Sequence, residues 1–264
     1  VTGEPRCEIS GDLLRITLAR PDKANAMRGR DMAVVLEALE AVAAGRTARA
    51  VLIEGEGRNF CAGADLVSAN PPGGDRPPIG TMVRSLNTVA HRVIQTLWDL
   101  PVPTVAAVQG RAAAFGLNLA LATDFVVAAE SATFGYPFAQ RGFTADSGAT
   151  YLLPRLIGVA RAKQMLIRGT VVTAPRALEW GLIGEVVPDG ELTEAAARLA
   201  VELAAGPTFV HGLTKAMISD HLTSDLPRAL AAEARTVELS LRGDDFKEGI
   251  RAFLGRRPPR FTGH

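Results

Sequence analysis

Thr104-Val-Ala-Ala-Val-Gln-Gly-Arg-Ala-Ala-Ala-Phe-Gly-Leu-Asn-Leu-Ala-Leu-Ala-Thr-Asp-Phe-Val-Val-Ala128 decides the fold class. Thr104 to Val108 is a short run without charge, stopped at Gly110, and reads as a strand buried on both faces. Leu117 to Ala122 reads as a helix buried nearly all round. Phe125 to Ala128 reads as the next strand. Short apolar strands alternating with helices point to an α/β architecture with the sheet inside.

The pattern extends outward from there. Upstream, Ile9 to Ala19 alternates around Gly11-Asp12 and predicts a hairpin. Arg28 to Ala44 predicts a helix with Met32, Val35, Leu36, Leu39 and Val42 on one stripe. Ala50 to Ile53 reads as a buried strand, Gly55 to Asp65 as a glycine-rich loop, and Thr81 to Leu100 as a helix. Between them, Pro71-Pro-Gly-Gly-Asp-Arg-Pro-Pro78 predicts a mobile surface loop. Downstream of about Ala174 the strand signals thin out. Glu191–Ala205, Phe209–Leu222, Leu226–Leu241 and Phe246–Leu254 all read as helices. The expected division is therefore an α/β core over 1–190 and a helical C-terminal subdomain over 191–264.

Composition narrows the function. The chain has 264 residues, 47% hydrophobic and 22% charged, with net charge +1 from 29 basic and 28 acidic residues. This excludes disorder and a disulfide scaffold as global descriptions, and offers no basic excess for nucleic acid. Cys7 and Cys61 read as two free thiols of a reducing compartment. Val1 to Arg15 has no basic-then-apolar run, and no apolar run reaches the roughly 18 residues of a membrane span. A soluble, cytoplasmic protein without membrane partners is expected.

The common catalytic fingerprints fail. Gly55-Glu-Gly-Arg-Asn-Phe60 starts like a dinucleotide loop but lacks the third glycine and the following helix. No phosphate loop and no nucleophile elbow occur. His91, His211, His221 and His264 are far apart in sequence, outside any metal-ligand spacing, and read as surface or packing residues. Neither a metal nor a bound cofactor is expected.

Two glycine-flanked turns stand out, Arg58-Asn-Phe-Cys-Ala-Gly-Ala-Asp-Leu66 and the turn from Gln109 into the helix after Phe115. The first N–H groups of a helix lack internal partners and sit at its positive end. Two such turns facing each other would make a pocket of donors for an oxyanion. From these segments alone, an ordinary pair of helix caps is the plainer reading.

Taken together, Arg20-Pro-Asp-Lys-Ala-Asn-Ala-Met27, Phe60-Cys-Ala-Gly-Ala-Asp-Leu66 and Pro103-Thr-Val-Ala-Ala-Val-Gln-Gly110 resemble, in order and spacing, the crotonase (enoyl-CoA hydratase/isomerase) superfamily. The resemblance runs over essentially the whole chain. It implies a ββα-repeat spiral core with a helical C-terminal region used in assembly, as a trimer or dimer of trimers. It implies an acyl-CoA substrate, with CoA as part of the substrate rather than a cofactor. The N–H groups of Ala64 and Phe115 would form the oxyanion hole. Lys23, Ala24 and Ala62 would lie along the CoA, Asp65 and Leu66 near its adenine, and Arg256, Arg257 and Arg260 within reach of its phosphates.

The carboxylates distinguish the reactions. Hydratases of this family use two glutamates to hold and add water; by resemblance their positions here are Asn118 and Phe138, which carry no titrating group. These two remain as substrate-contact positions, and hydration is expected to be weak or absent. Asp146, in Gly142-Phe-Thr-Ala-Asp-Ser-Gly148, is similar to the aspartate of the isomerase branch, above all the ring-opening isomerases that act on epoxyphenylacetyl-CoA. One carboxylate suffices to take a proton from one carbon and return it two carbons away, and an apolar pocket would raise its pKa into a useful range. Phe115, Phe138 and Phe143 are expected as the apolar walls.

Other readings of these residues exist. Asp146 is also a candidate N-cap for a helix starting near Ser147. Phe115 stands where the family has Gly or Ala, Ala145 where it has proline, and Ala149 where it has a glycine; alanine is strained there if the position needs positive φ. The expected function is an isomerase that shifts a double bond in an enoyl-CoA or a ring-derived acyl-CoA. A hydratase using water held by Asn118 and Asp146, and an acyl-CoA binder without turnover, are the alternatives.

Overall fold

The strands of the main sheet alternate between two cores, as the two-residue period of a strand requires. In this computed structural model, which describes residues 3–45, 48–69 and 78–264, six strands line up in the order β1-β2-β3-β4-β6-β9. β1 (Arg6–Ser10) and β2 (Leu13–Leu18) form the expected hairpin over Gly11-Asp12. β3 (Ala50–Gly55), β4 (Thr104–Val108), β6 (Phe125–Ala129) and β9 (Glu185–Val187) add in parallel. Leu14, Ile16, Val51, Ile53, Ala106, Val108, Val126 and Ala128 face one core. Leu13, Ala50, Leu52, Val105, Ala107, Val127 and Ala129 face the other. The central strands β3, β4 and β6 are buried on both faces over most of their length, hence their near-continuous apolar runs, whereas the edge strand β1 is largely exposed.

A second, three-stranded sheet consists of β5 (Arg111–Ala113), β7 (Thr133–Gly135) and β8 (Val172–Thr173). The main-sheet strands β4 and β6 each turn and continue into it, which builds a ββα spiral. The turn after β4 needs Gly110, with φ +54; a Cβ there would stand 1.9 Å from the Arg58 carbonyl oxygen.

Helix α1 (Gly29–Ala43) covers the inner core with the stripe read from the sequence, Met32 to Val42. It is followed by α2 (Leu66–Ala69), α3 (Thr81–Ser85) and α4 (His91–Trp98). The helix expected over Thr81–Leu100 is thus interrupted, because Leu86–Ala90 widens into a π turn. Such turns often accompany functional sites. The inner helix α5 (Phe115–Leu121) is buried throughout. Helix α6 (Ala149–Leu166) bends at Gly158, and α7 (Ala174–Glu179) follows β8. The late strand β9 is a correction to the expectation that strand structure fades after Ala174.

Four C-terminal helices follow: α8 (Leu192–Ala205), α9 (Thr208–His221), α10 (Leu226–Ser240) and α11 (Asp244–Leu254), within two residues of the sequence reading. Small residues on α8, Ala195, Ala196, Ala200 and Ala204, let it lie close on the outer face of the sheet. No residue of α10 is buried. Cys7 and Cys61 are both free thiols. No described helix is long and apolar enough to cross a membrane. The loop expected at 71–78 lies outside the described residues apart from Pro78.

Candidate active site

Two backbone turns are pressed together where β3 and β4 end. On the first, Cys61 bridges in parallel to Ala112, with Cys61 N–H donating to Arg111 O and Ala113 N–H donating to Cys61 O. Gly63, at φ +108, has space for no side chain without crowding: a Cβ would stand 3.1 Å from Ala113 O and 3.5 Å from the Phe115 nitrogen. On the second, a Cβ on Gly116 would stand 2.3 Å from Cys61 O and 2.7 Å from its Sγ. Only glycine lets α5 approach the first turn this closely. The Cys61 thiol donates to Asn25 O at 3.2 Å, and burial pushes its pKa up to about 12, so it stays protonated.

Two donors are left over. Met27 N–H donates to Gly63 O and Asp65 N–H to Met27 O, which uses the groups on either side of Ala64 but not its own N–H. Among the described residues, neither Ala64 N–H nor Phe115 N–H has an acceptor. Phe115 is the first residue of α5, so its N–H is an orphan at the positive helix end. Ahead of it Ala114 holds φ 50°, ψ −123°, a conformation for which glycine is the usual residue. Non-glycine residues in such conformations cost about 1–3 kcal/mol and cluster at functional sites. The sequence reading missed Ala114.

Ala64 opens into a cavity of 610 Å³ together with Asp146, and Met27, Met32, Met82, Leu86 and Phe143 form much of its apolar wall. Two carboxylates border it, and their surroundings push them apart. Asp65 accepts from Ser68 N–H (3.0 Å), Ser68 Oγ (2.8 Å) and Arg20 (3.0 Å). Burial works against its charge, but these partners prevail and hold its pKa below the ordinary value. Asp146 goes the other way. Burial lifts its pKa above the ordinary carboxylate value, only partly offset by the Ser147 hydroxyl and by the nearby His91. A carboxyl group raised in this way can both take and return a proton.

The loop bearing Asp146 is braced from behind. Asn118, fully buried on α5, donates through Nδ2 to Asp146 O at 3.0 Å and accepts at Oδ1 from the Tyr136 hydroxyl at 2.6 Å. Phe138 stacks on Tyr136 at 5.5 Å and meets Phe143 edge-on at 5.3 Å. Asn118, Phe138 and the Phe115 side chain lie behind the cavity wall rather than on it; of the three phenylalanines expected as walls, Phe143 lines the cavity. The large Phe115 side chain goes into the core, 2% exposed. Asp146 is not the N-cap of α6, which begins at Ala149 after Gly148. The positive φ values of this turn fall on Ser147 and Gly148, so Ala149 is unstrained.

The segment 20–27 flanks the same cavity. Lys23 is exposed, and Ala24 O accepts from Ala62 N–H at 2.9 Å. Its anchor is Asn25, which the sequence reading did not single out. Its side chain accepts from Arg20 N–H and donates to Glu56 O and Asn59 O. Arg256, Arg257 and Arg260 follow α11, and Arg257 is held there by Glu248 in a two-pronged ion pair, at 2.6 and 2.9 Å.

A pair of N–H donors without acceptors, a carboxyl with a raised pKa and a ββα spiral are the setting for the comparison with known proteins. The Enoyl-CoA hydratase/isomerase family model matches residues 8–264. The chain belongs to the enoyl-CoA hydratase/isomerase family. Within that family, the 1,2-epoxyphenylacetyl-CoA isomerase of Escherichia coli (strain K12) is 40% identical over 95% of both chains. The crotonyl-CoA hydratase of Syntrophomonas wolfei is 31% identical, over 92% of this chain and 91% of its own. The crystal structure of an enoyl-CoA hydratase from Bacillus anthracis superposes with a TM-score of 0.91 at 31% identity, covering 99% of this chain and 100% of that one. The family thus spans isomerase and hydratase relatives, and the crotonase resemblance holds across the chain.

Proposed function

We propose that this enzyme is an acyl-CoA isomerase. It shifts a double bond between the 3 and 2 positions of an enoyl-CoA, or rearranges a ring-derived acyl-CoA, through an enolate. The Ala64 and Phe115 N–H groups receive the thioester oxygen as charge develops on it. Losing one such donor typically costs about two to three orders of magnitude in rate. Asp146 takes the proton and returns it two carbons away. The supporting observation is the division of labour between the carboxylates: Asp65 is tied to Arg20 and Ser68, while Asp146 borders the same cavity with a raised pKa.

The hydratase alternative loses support from Asn118. Asn118 is fully buried, is not among the residues lining the cavity, and has its amide turned to the Tyr136 hydroxyl and the Asp146 carbonyl, which does not favour it as a holder of substrate water. In this reading it positions the Asp146 loop. The CoA would run past Lys23, Ala24, Ala62, Asp65 and Leu66, which lie on the two segments joined by the Ala62–Ala24 hydrogen bond. A trimer, or a dimer of trimers, would cover the apolar residues that α10 and α11 leave outside, among them Leu226, Leu230, Phe253 and Leu254.

Incubation of the purified protein with a 3-enoyl-CoA, followed by chromatography and mass spectrometry, tests the proposal. A new peak of unchanged mass is the expected result. A gain of one water would return the reading to hydration. Tight retention without conversion of either chain or ring substrates would favour a binder.

A further inference from the structure

The Ala64 N–H is aimed by a bridge between two loops. Segments 24–27 and 61–65 are joined by three backbone bonds, from Ala62 N–H to Ala24 O, from Met27 N–H to Gly63 O and from Asp65 N–H to Met27 O. The last two form the bridge between Met27 and Ala64. Neither segment belongs to a helix or to a strand of the two sheets. Ala24 and Asn25 hold φ 49° and 55°. Left-handed conformations of residues other than glycine persist only where their surroundings hold them.

Arg20 ties the two sides of that bridge together. Its Nη1 donates to Ala26 O at 2.6 Å and its Nη2 to Asp65 Oδ2 at 3.0 Å. Ala26 immediately precedes Met27, and Asp65 immediately follows Ala64, so one guanidinium spans the bridge from loop to loop. A plainer role would be to neutralise the buried Asp31. That carboxylate is already served by Arg28, through Nε and Nη2 at 2.7 Å each and the backbone N–H at 2.8 Å, whereas Arg20 stands 3.7 Å from it. Nor is Arg20–Asp65 an exposed pair of the kind that contributes little; the two side chains are 13% and 10% exposed. Charge-assisted bonds from a planar fork fix geometry as well as supplying energy.

We propose that Arg20 is a positioning residue for the oxyanion donor: its guanidinium locks the Ala26 carbonyl to the Asp65 carboxylate across the Met27–Ala64 bridge and so fixes the direction of the Ala64 N–H. This rests on the reading that the Ala64 N–H receives the thioester oxygen. Arg20 is not among the residues lining the cavity that holds Ala64, so it acts through that turn rather than on the substrate. Without the fork, Ala26 O and Asp65 lose their common partner, the two loops slip past each other, and the Ala64 N–H leaves its line to the thioester oxygen. The Phe115 N–H belongs to α5 and keeps its place.

The test reads the donor itself. Hexanoyl-CoA, which cannot undergo a double-bond shift, would be labelled with carbon-13 at the thioester carbonyl, and its carbonyl stretch measured by infrared difference spectroscopy when bound to the whole chain. Arg20→Lys keeps the charge but presents one nitrogen on a flexible stem in place of the planar fork. Asp65→Asn is the second variant: its amide oxygen can still receive Ser68 N–H, while its nitrogen faces Arg20. In the parent the stretch is expected below that of the free thioester. In either variant it should return part of the way, because the Phe115 N–H remains. Turnover of 3-hexenoyl-CoA should fall about tenfold or more, within the scale of one lost donor, while hexanoyl-CoA still binds. A stretch as low in both folded variants as in the parent would overturn the proposal, even if turnover fell. Loss of folding in both would assign Arg20 to stability alone and overturn it too. A parent that binds hexanoyl-CoA without lowering the stretch would refute the donor reading of Ala64, and this inference with it. A protein that shows the shift and its partial loss but converts no 3-enoyl-CoA would lose the isomerase reading and keep this one.

Discussion

Replacing Gly116 by alanine perturbs the contact between the two donor turns. The added methyl would stand 2.3 Å from Cys61 O, 2.6 Å from its Cβ and 2.7 Å from its Sγ, where ordinary contact begins at 3.4 Å. The shortfall is about 1 Å, and Cys61 has no freedom to absorb it. Its backbone is hydrogen-bonded on both sides to β5 and its thiol to Asn25. The turn carrying Ala64 must therefore move away from the turn carrying Phe115. Overpacking of this kind costs about 1–3 kcal/mol. For a chain of this size that corresponds to a drop in Tm of roughly 2–12 °C. A displacement of about 1 Å at a reacting centre costs on the order of a hundredfold in rate. Thermal melting by circular dichroism and steady-state turnover of an enoyl-CoA measure the two effects, with Gly190→Ala as control. Gly190 lies on the turn before α8, and a Cβ there would meet nothing within 4 Å. A Gly116→Ala protein with the parent's Tm and kcat would refute the close approach of the two turns as the basis of the site.

Three further outcomes are expected. Ala114→Gly removes the strain of φ 50° and should stabilise the protein by about 1 kcal/mol, read as a higher Tm, with the donor turn preserved. Asp65→Ala removes the side chain that receives Ser68 N–H, at a cost of about 1 kcal/mol. Because the folded-state pKa of Asp65 is lowered, its contribution exists above the ordinary value of 3.8 and is lost as pH falls, so melting curves of parent and variant should converge in acid. Asp146→Asn should behave oppositely. A raised folded-state pKa means that ionisation of Asp146 costs stability as pH rises above 3.8, so the variant should melt higher than the parent at pH 7 and together with it near pH 3. An equal Tm difference across that range would contradict the assigned shift.

Elements with long apolar periods were legible in the sequence. α1 shows its stripe from Met32 to Val42, and β3 and β4 show as short apolar runs, Ala50 to Ile53 and Thr104 to Val108, each with a glycine within two residues of its end. The four C-terminal helices follow the same rule. The second sheet was not legible, because β5, β7 and β8 are three, three and two residues long, too short for a period to emerge. β9, at three residues, was missed for the same reason.

The site divides similarly. Ala64, Phe115 and Asp146 were singled out through their motifs, and two of the three border one cavity. The supports around them are contacts between distant residues, which no local spacing encodes. Asn25 reaches Glu56 and Asn59, 31 and 34 residues away, and Asn118 reaches Asp146, 28 residues away. Read as a vacated catalytic position, Asn118 gave no sign of its bond to Tyr136. His91, read as a surface or packing residue, gave none of its closeness to Asp146.

Proton transfer by Asp146 is tested most directly by the turnover of 3-hexenoyl-CoA in the parent and in Asp146→Asn, beside calorimetric binding of the unreactive hexanoyl-CoA to both. Turnover is expected to fall by a factor of about a hundred or more in the variant, the usual scale of a lost acid–base group, while hexanoyl-CoA still binds. A variant that isomerises 3-hexenoyl-CoA at the parental rate would contradict the assignment of the proton to Asp146.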